Sequence, residues 1–157
     1  MKRRLSLGLL VLVTMALLVG IVGVATASAS KKKGSEGCTP GYWKQSQHFD
    51  SWTAPYDPTD LFSATVGKHA DNSTVTFENA FPGMTLLDVL SQGGGGLAAL
   101  GRHTVAALLN TASHDVDYAH TTTGFIVDEF NSVFPGGNYE GLKDIYEGFN
   151  QLGCPLS

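Results

Sequence analysis

The stretch that most constrains this chain is the apolar segment from Leu97 to Asn110, which follows the four consecutive glycines Gly93 to Gly96. Leucine, valine and alanine fill most of its positions. Its polar side chains are Arg102, His103, Thr104 and Asn110. A helix that is apolar around nearly its whole circumference belongs in a protein core. Because glycine is a poor helix former, the helix is predicted to begin after the glycine run.

The chain has two cysteines, Cys38 and Cys154, and they enclose the whole region around this helix. In an exported protein, a cysteine pair placed in this way is expected to form a disulfide. On a loop-entropy argument, a closed loop of this length stabilises a fold by roughly 4 to 5 kcal/mol. The sequence therefore predicts a domain whose first and last parts are joined by a covalent bridge.

The first residues of the chain have the pattern of a secretory signal peptide. A basic head, Lys2 to Arg4, precedes an apolar run from Leu5 to Val24, and a small-residue cleavage site follows. We predict a signal peptide over residues 1–29, a linker over 30–37 and a helical domain over 38–157. The alternative is an uncleaved signal anchor, because the apolar run is as long as the ~20 residues that cross a bilayer.

The charge of the predicted domain limits its partners. From Cys38 onward there are four basic residues and thirteen acidic ones, which leaves a net charge of −9. Because nucleic-acid binding needs clustered lysine and arginine to neutralise phosphates, we expect no nucleic-acid partner. The expected partner is an extracellular protein or a glycan, and a membrane only if the signal segment is retained.

Local signals predict short elements on the amino-terminal side of the central helix. Thr39 and Pro40 favour a helix start, and the helix is expected to continue to about His48. Two segments rich in Thr, Val and Phe, residues 61–66 and 73–77, favour a small hairpin.

Three further helices are predicted from their caps. Thr85 and Asp88 have the spacing of a capping box, one helix begins at Thr123, and Asn138 caps the last helix. Helical spacing puts five apolar residues on one face of that last helix: Leu142, Ile145, Tyr146, Phe149 and Leu152. The predicted fold class is mainly α: a small multi-helix domain around a buried central helix, with at most one short β-hairpin, closed by an N-to-C-terminal disulfide.

Three parts of the sequence resemble a family of secreted bacterial domains of unknown function. They are the opening Cys38-Thr-Pro-Gly-Tyr-Trp-Lys44, the segment from Leu100 to Asn110, and the final Cys154 after a tyrosine-containing helix. Members of that family open with Cys-Thr-x-Gly-Tyr-Trp-Lys-Asn-His, whereas Gln45 and Ser46 replace the Asn-His pair here. The resemblance implies export and an independent small domain, and it implies no activity.

Two clusters of side chains are candidate binding sites. The first is aromatic: Tyr42, Trp43, Trp52 and Tyr56. Aromatic rings with polar tips bind sugar faces and protein surfaces, which favours a carbohydrate or cell-wall site, although a tryptophan beside a disulfide also fills cores. The second is the ligand-type set His114, Asp115, Asp117 and His120. Imidazoles and carboxylates at this spacing suit a divalent metal, although the segment matches neither a helical zinc motif nor a calcium loop.

We therefore favour an exported interaction module, at the cell surface or outside the cell, over an enzyme. The alternative is a secreted hydrolase or metal-binding protein that uses His103 or the loop from His114 to His120; a third hypothesis is a membrane-anchored envelope protein. No catalytic residue or cofactor is assigned, since the chain has no nucleophile elbow or phosphate loop, and the bridge leaves no free thiol. An enzyme needs ionisable groups that converge in a cleft, whereas a binding module needs an exposed patch.

Overall fold

A computed structural model describes residues 33–156, so the predicted signal segment lies outside the described residues. Their helices and strands are α1 (Pro40–Trp43), β1 (Val66–Lys68), β2 (Thr74–Thr76), α2 (Leu86–Ser91), α3 (Gly96–Ala112), α4 (Thr123–Val133) and α5 (Tyr139–Asn150). Two 3-10 segments, Ser46–Ser51 and Phe62–Ala64, connect the early elements. The predicted class, a mainly α domain with one small hairpin, is confirmed. In this part of the chain no helix is both long enough and apolar enough to cross a bilayer.

The central helix α3 organises the core as predicted. It contacts α1, α2, α4 and α5, and most of its side chains from Ala99 to Asn110 are buried. Gly101 lets α2 and the segment before it approach closely, because a Cβ at this position would lie 2.5 Å from the Phe81 ring. The helix begins at Gly96, one residue earlier than the sequence predicts, and the Glu140 side chain accepts a hydrogen bond from the Gly96 N–H.

The predicted disulfide between Cys38 and Cys154 is confirmed, with the two Cα atoms 4.4 Å apart. Next to it, Gly37 and Gly153 form an antiparallel bridge in which the Gly37 N–H donates to the Gly153 carbonyl at 3.0 Å. Glu36 is also buried. The last residues of the predicted linker are therefore part of the folded domain, because the backbone pairing beside the bridge holds them there.

The hairpin lies further along the chain than predicted. Residues 61–65 belong to a 3-10 turn and its flanks, and β1 pairs with β2 from Val66 opposite Thr76 to Lys68 opposite Thr74. Gly67, which lies between the two segments predicted as strands, is the middle residue of β1. A Cβ at Gly67 would lie 2.6 Å from both the Thr123 carbonyl and Val127 Cγ2. This glycine therefore permits close packing of the strand on α4.

The predicted helices differ from the observed ones in two further places. The helix expected over Pro40–His48 ends at Trp43 and gives way to a 3-10 segment, because the chain turns to bury the Trp43 ring. In α5 the Asn138 cap is confirmed, but Ile145, expected on the buried face, is 50% exposed, and Leu152, expected on the same face, lies beyond the end of the helix and is 49% exposed. Tyr146, predicted on the same face, is fully buried and forms its centre.

Candidate functional site

The predicted aromatic patch is mostly core. Trp43 is fully buried, and Tyr42 and Tyr56 are 8% and 7% exposed. The Trp43 Nε1–H donates to Asn110 Oδ1 at 3.1 Å, and the Trp52 Nε1–H donates to the Trp43 carbonyl at 3.2 Å. Trp52 alone of the four rings is partly exposed. Three of the four rings are therefore buried, and the set does not form a continuous surface for sugar stacking.

The predicted metal-ligand set is not brought together. His114 and Asp115 are exposed after the end of α3, whereas Asp117 Oδ2 accepts a hydrogen bond from the Gly34 N–H at 3.1 Å. The Asp117 N–H in turn donates to Glu36 Oε2 at 2.7 Å. Within residues 33–156 no group of three or more His, Cys, Asp or Glu side chains is arranged to hold a metal ion.

His120 occupies an aromatic environment on the other side of this loop. Its ring stacks on Phe125 and meets Tyr146 and Phe149 edge-on, and 13% of its side chain is exposed. The nearest acidic atom is Glu129 Oε2, 3.9 Å from His120 Nε2. Burial lowers the pKa of this imidazole, and the negative charge of Glu129 opposes that shift. The neutral form is favoured, so His120 acts as a packed ring.

The candidate His103 and its neighbour Arg102 also interact with groups close to them in α3 and α5 or in the glycine run. Arg102 donates to the carbonyls of Gln92 and Gly94 at 3.0 and 2.9 Å and so fixes the glycine run that precedes the helix. His103 is half-buried, and burial lowers its pKa while Glu147 of α5 opposes the shift. The Arg102 guanidinium therefore satisfies backbone carbonyls of the preceding segment.

One surface cleft brings together four separate segments of the chain. It has a volume of about 510 Å³, within the range of about 300 to 1,000 Å³ typical of ligand sites. The loop between the two 3-10 segments, the β-hairpin, the end of α3 with the residue after next, and the start of α4 each contribute to its lining. The lining residues are Thr53, Ala54, Pro55, Tyr56, Val66, Lys68, Thr74, Ala112, His114 and Thr123.

Two hydrogen bonds hold together the walls of this cleft, the main cleft of the domain. The Tyr56 hydroxyl donates to the Val66 carbonyl at 2.9 Å, which ties the loop to β1. The Lys68 backbone N–H donates to Thr123 Oγ1 at 3.0 Å, which ties β1 to the start of α4. Burial raises the pKa of Tyr56, so its hydroxyl remains a donor across the physiological range. The cleft is thus built on fixed walls, a condition for binding without large rearrangement.

A second depression of about 200 Å³ adjoins the main cleft and shares Pro55, Tyr56 and Val66 with it. Its other lining includes Leu61, which is 46% exposed, and Asp60. Val66 is 40% exposed. Two large exposed apolar side chains therefore lie at these sites: Val66 lines both the main cleft and the depression, and Leu61 lines the depression.

The main cleft contains one residue from each predicted cluster, Tyr56 and His114, and no more of either. Sequence reasoning missed Lys68, Thr74 and Pro55. Lys68 alone had a usable signal, because it is one of only four basic residues in a strongly acidic domain. The other lining residues are small and common, and only the fold brings them together.

Comparison with protein families, with curated proteins and with solved structures finds no match to this chain.

Proposed function

We propose that this protein is an exported interaction module that binds its ligand in the main cleft. The observation that carries the proposal is the convergence of four chain segments on one concave surface of about 510 Å³. Its lining combines apolar side chains with a few polar groups, the composition expected of a binding site. The ionisable side chains that line it are Tyr56, Lys68 and His114, and none of them is hydrogen-bonded to another. This arrangement favours binding over proton-transfer chemistry.

The disulfide supports the exported location. Disulfides persist in oxidising compartments, so the bridge between Cys38 and Cys154 indicates that the domain works outside the reducing cytoplasm. The predicted signal segment over residues 1–29 is the proposed route of export. Secretion into the medium and anchoring at the cell surface both place the domain on the outer side of the membrane.

Ligand binding at the cleft is testable by NMR. A panel of neutral, cationic and anionic small molecules is added to the oxidised, ¹⁵N-labelled protein, purified after export, and amide shifts are mapped. We expect the responding amides to surround the cleft, and Thr74→Trp, which fills it, to abolish the response. Thr76→Trp is the matched control, because Thr76 is exposed on the same strand but does not line the cleft. Responses confined to another surface, or unchanged by Thr74→Trp, would reject the cleft as the site.

A carbohydrate or cell-wall ligand is tested with the same two variants. Co-sedimentation with purified bacterial cell walls, cellulose and chitin measures retention of the folded protein on each polymer. If the cleft binds these polymers, Thr74→Trp loses retention and Thr76→Trp keeps it. Equal retention of the two variants would assign polymer binding to another surface of the molecule.

A further inference from the structure

The basic residues of the domain differ in how they are paired. Lys143 is surrounded by Glu140, Asp144 and Glu147, and Arg102 bonds backbone carbonyls. Lys44 and Lys68, in contrast, have no carboxylate within ion-pair distance in the described part of the chain, and of these two Lys68 lines the main cleft. An unpaired cation in a domain with this excess of acids is a group available to an anionic ligand.

The surroundings of Lys68 favour the same kind of ligand. No aspartate or glutamate is among the residues that line the main cleft, and His114 adds a second nitrogen-bearing side chain. Pro55, Val66 and Ala112 supply apolar contacts around these groups. An anion bound here would meet no like charge on the cleft walls. The apolar part of the same ligand would be removed from water by contact with these apolar side chains.

We infer that the cleft binds the C-terminal carboxylate of an apolar peptide, with the carboxylate at Lys68. This inference rests on the proposed function. Sugar recognition commonly uses exposed aromatic rings, and in this domain Tyr42, Trp43 and Tyr56 are buried. A single cation with apolar walls suits a carboxylate attached to an aliphatic chain better than a sugar acid, whose remaining surface is covered with hydroxyls.

The second depression fits the rest of such a peptide. Val66 and Lys68 are both exposed positions of β1, two residues apart, which corresponds to about 6.6 Å along a strand. The same spacing separates alternate side chains of an extended peptide. With its carboxylate at Lys68, the peptide places an earlier apolar side chain against Val66 and Leu61, whose exposed surfaces it covers.

The test compares two peptide libraries that differ in one charge. Acetylated tripeptides built from Ala, Val and Leu are prepared with free C-terminal carboxylates and, separately, as C-terminal amides. Binding to the oxidised protein, purified after export, is measured by amide NMR shifts and calorimetry. We expect the acids to bind at the cleft and the amides to bind about tenfold more weakly, because the charge-assisted contact is lost.

Two lysine variants locate the contact. Lys68→Gln is expected to weaken binding of the acids about tenfold, whereas Lys44→Gln, which removes an exposed charge that does not line the cleft, changes it less than about twofold. Equal affinity for acids and amides, or no effect of Lys68→Gln, would overturn the carboxylate assignment while leaving the cleft as a binding site. Binding of glucuronic acid in place of the peptides would overturn the peptide assignment. If the wider NMR panel also fails to perturb the cleft, the proposed function itself is rejected.

Discussion

Asn110 is fully buried in α3 and uses its side-chain amide completely. Its Oδ1 accepts from the Cys38 backbone N–H at 2.9 Å and from the Trp43 Nε1–H at 3.1 Å. Its Nδ2 donates to the Cys38 carbonyl at 2.8 Å and to Asn150 Oδ1 at 2.9 Å. Because an unsatisfied buried polar group is costly, this one residue removes several potential penalties at once. It also fixes the residue at which the disulfide begins.

Replacing Asn110 by aspartate tests this role without changing the size of the side chain. The two donors become an acceptor, so a buried carboxylate oxygen would face the Cys38 carbonyl and Asn150 Oδ1. We expect the free energy of unfolding, measured in urea, to fall by at least about 3 kcal/mol. Asn131→Asp is the control: its amide donates to the Thr76 carbonyl in an exposed setting, and the expected loss is about 1 kcal/mol. Equal losses would contradict a special role for Asn110.

The two partly buried histidines, His103 and His120, predict a pH dependence of stability. Burial lowers the pKa of both His103 and His120 in the folded protein. In the unfolded chain they take up protons near pH 6.5, so the unfolded state binds more protons. The free energy of unfolding should therefore be highest above about pH 6.5 and decrease as the pH falls toward the folded-state pKa values. Each unit by which a pKa is lowered corresponds to about 1.4 kcal/mol.

Substitution of each histidine by phenylalanine assigns the effect. Urea unfolding between about pH 7.5 and pH 5 should show a smaller decrease for His120→Phe than for the wild type, because a ring that cannot be protonated fills the same space. His103→Phe should also reduce the decrease, because burial lowers the pKa of that imidazole too. A His120→Phe profile parallel to that of the wild type would show that this imidazole does not contribute.

At the scale of elements, the contact between β1 and α4 depends on the absence of a side chain at Gly67. Gly67→Ala would place a methyl group 2.6 Å from the Thr123 carbonyl and Val127 Cγ2. We expect a loss of about 1 to 3 kcal/mol in the free energy of unfolding, because the strand must move away from the helix. In Gly93→Ala the added methyl meets nothing within 4 Å, and the expected change is below about 1 kcal/mol. Similar effects in the two variants would refute tight packing at Gly67.

The elements that the sequence predicted well are those fixed by neighbouring residues. Thr85 and Asp88 form both bonds of the capping box, and Asn138 caps α5 through the Gly141 N–H. These interactions span three residues and are therefore visible in sequence. The position of the strand that contains Gly67 was predicted wrongly, because this position depends on close packing against α4. That helix lies more than fifty residues later in the chain. Likewise, α1 ends at Trp43, earlier than predicted, because the Trp43 ring is buried and bonded to Asn110 of α3.

At the scale of the whole molecule, the candidate site was less predictable than the fold. The sequence grouped residues that are neighbours along the chain, such as His114 and Asp115, whereas the cleft combines Thr53, Lys68 and His114 from distant segments. The disulfide could be predicted because two cysteines allow a single pairing. A cleft has no such constraint, since ordinary residues become its walls only when the chain has folded.

The disulfide and the Asn110 network act on the same two ends of the chain, so their contributions to stability should be coupled. Combining Cys38→Ala with Cys154→Ala removes the bridge. We expect the free energy of unfolding to fall by about 4 to 5 kcal/mol, because the bridge joins residues with a sequence separation of 116. With the bridge present, Asn110→Ala leaves the Cys38 backbone groups buried and unpaired. Without it, the segment before α1 can open and expose those groups to water. Asn110→Ala should therefore cost less in the cysteine-free protein, by at least about 0.5 kcal/mol in a urea double-mutant cycle, and additive losses would show that the two closures act independently.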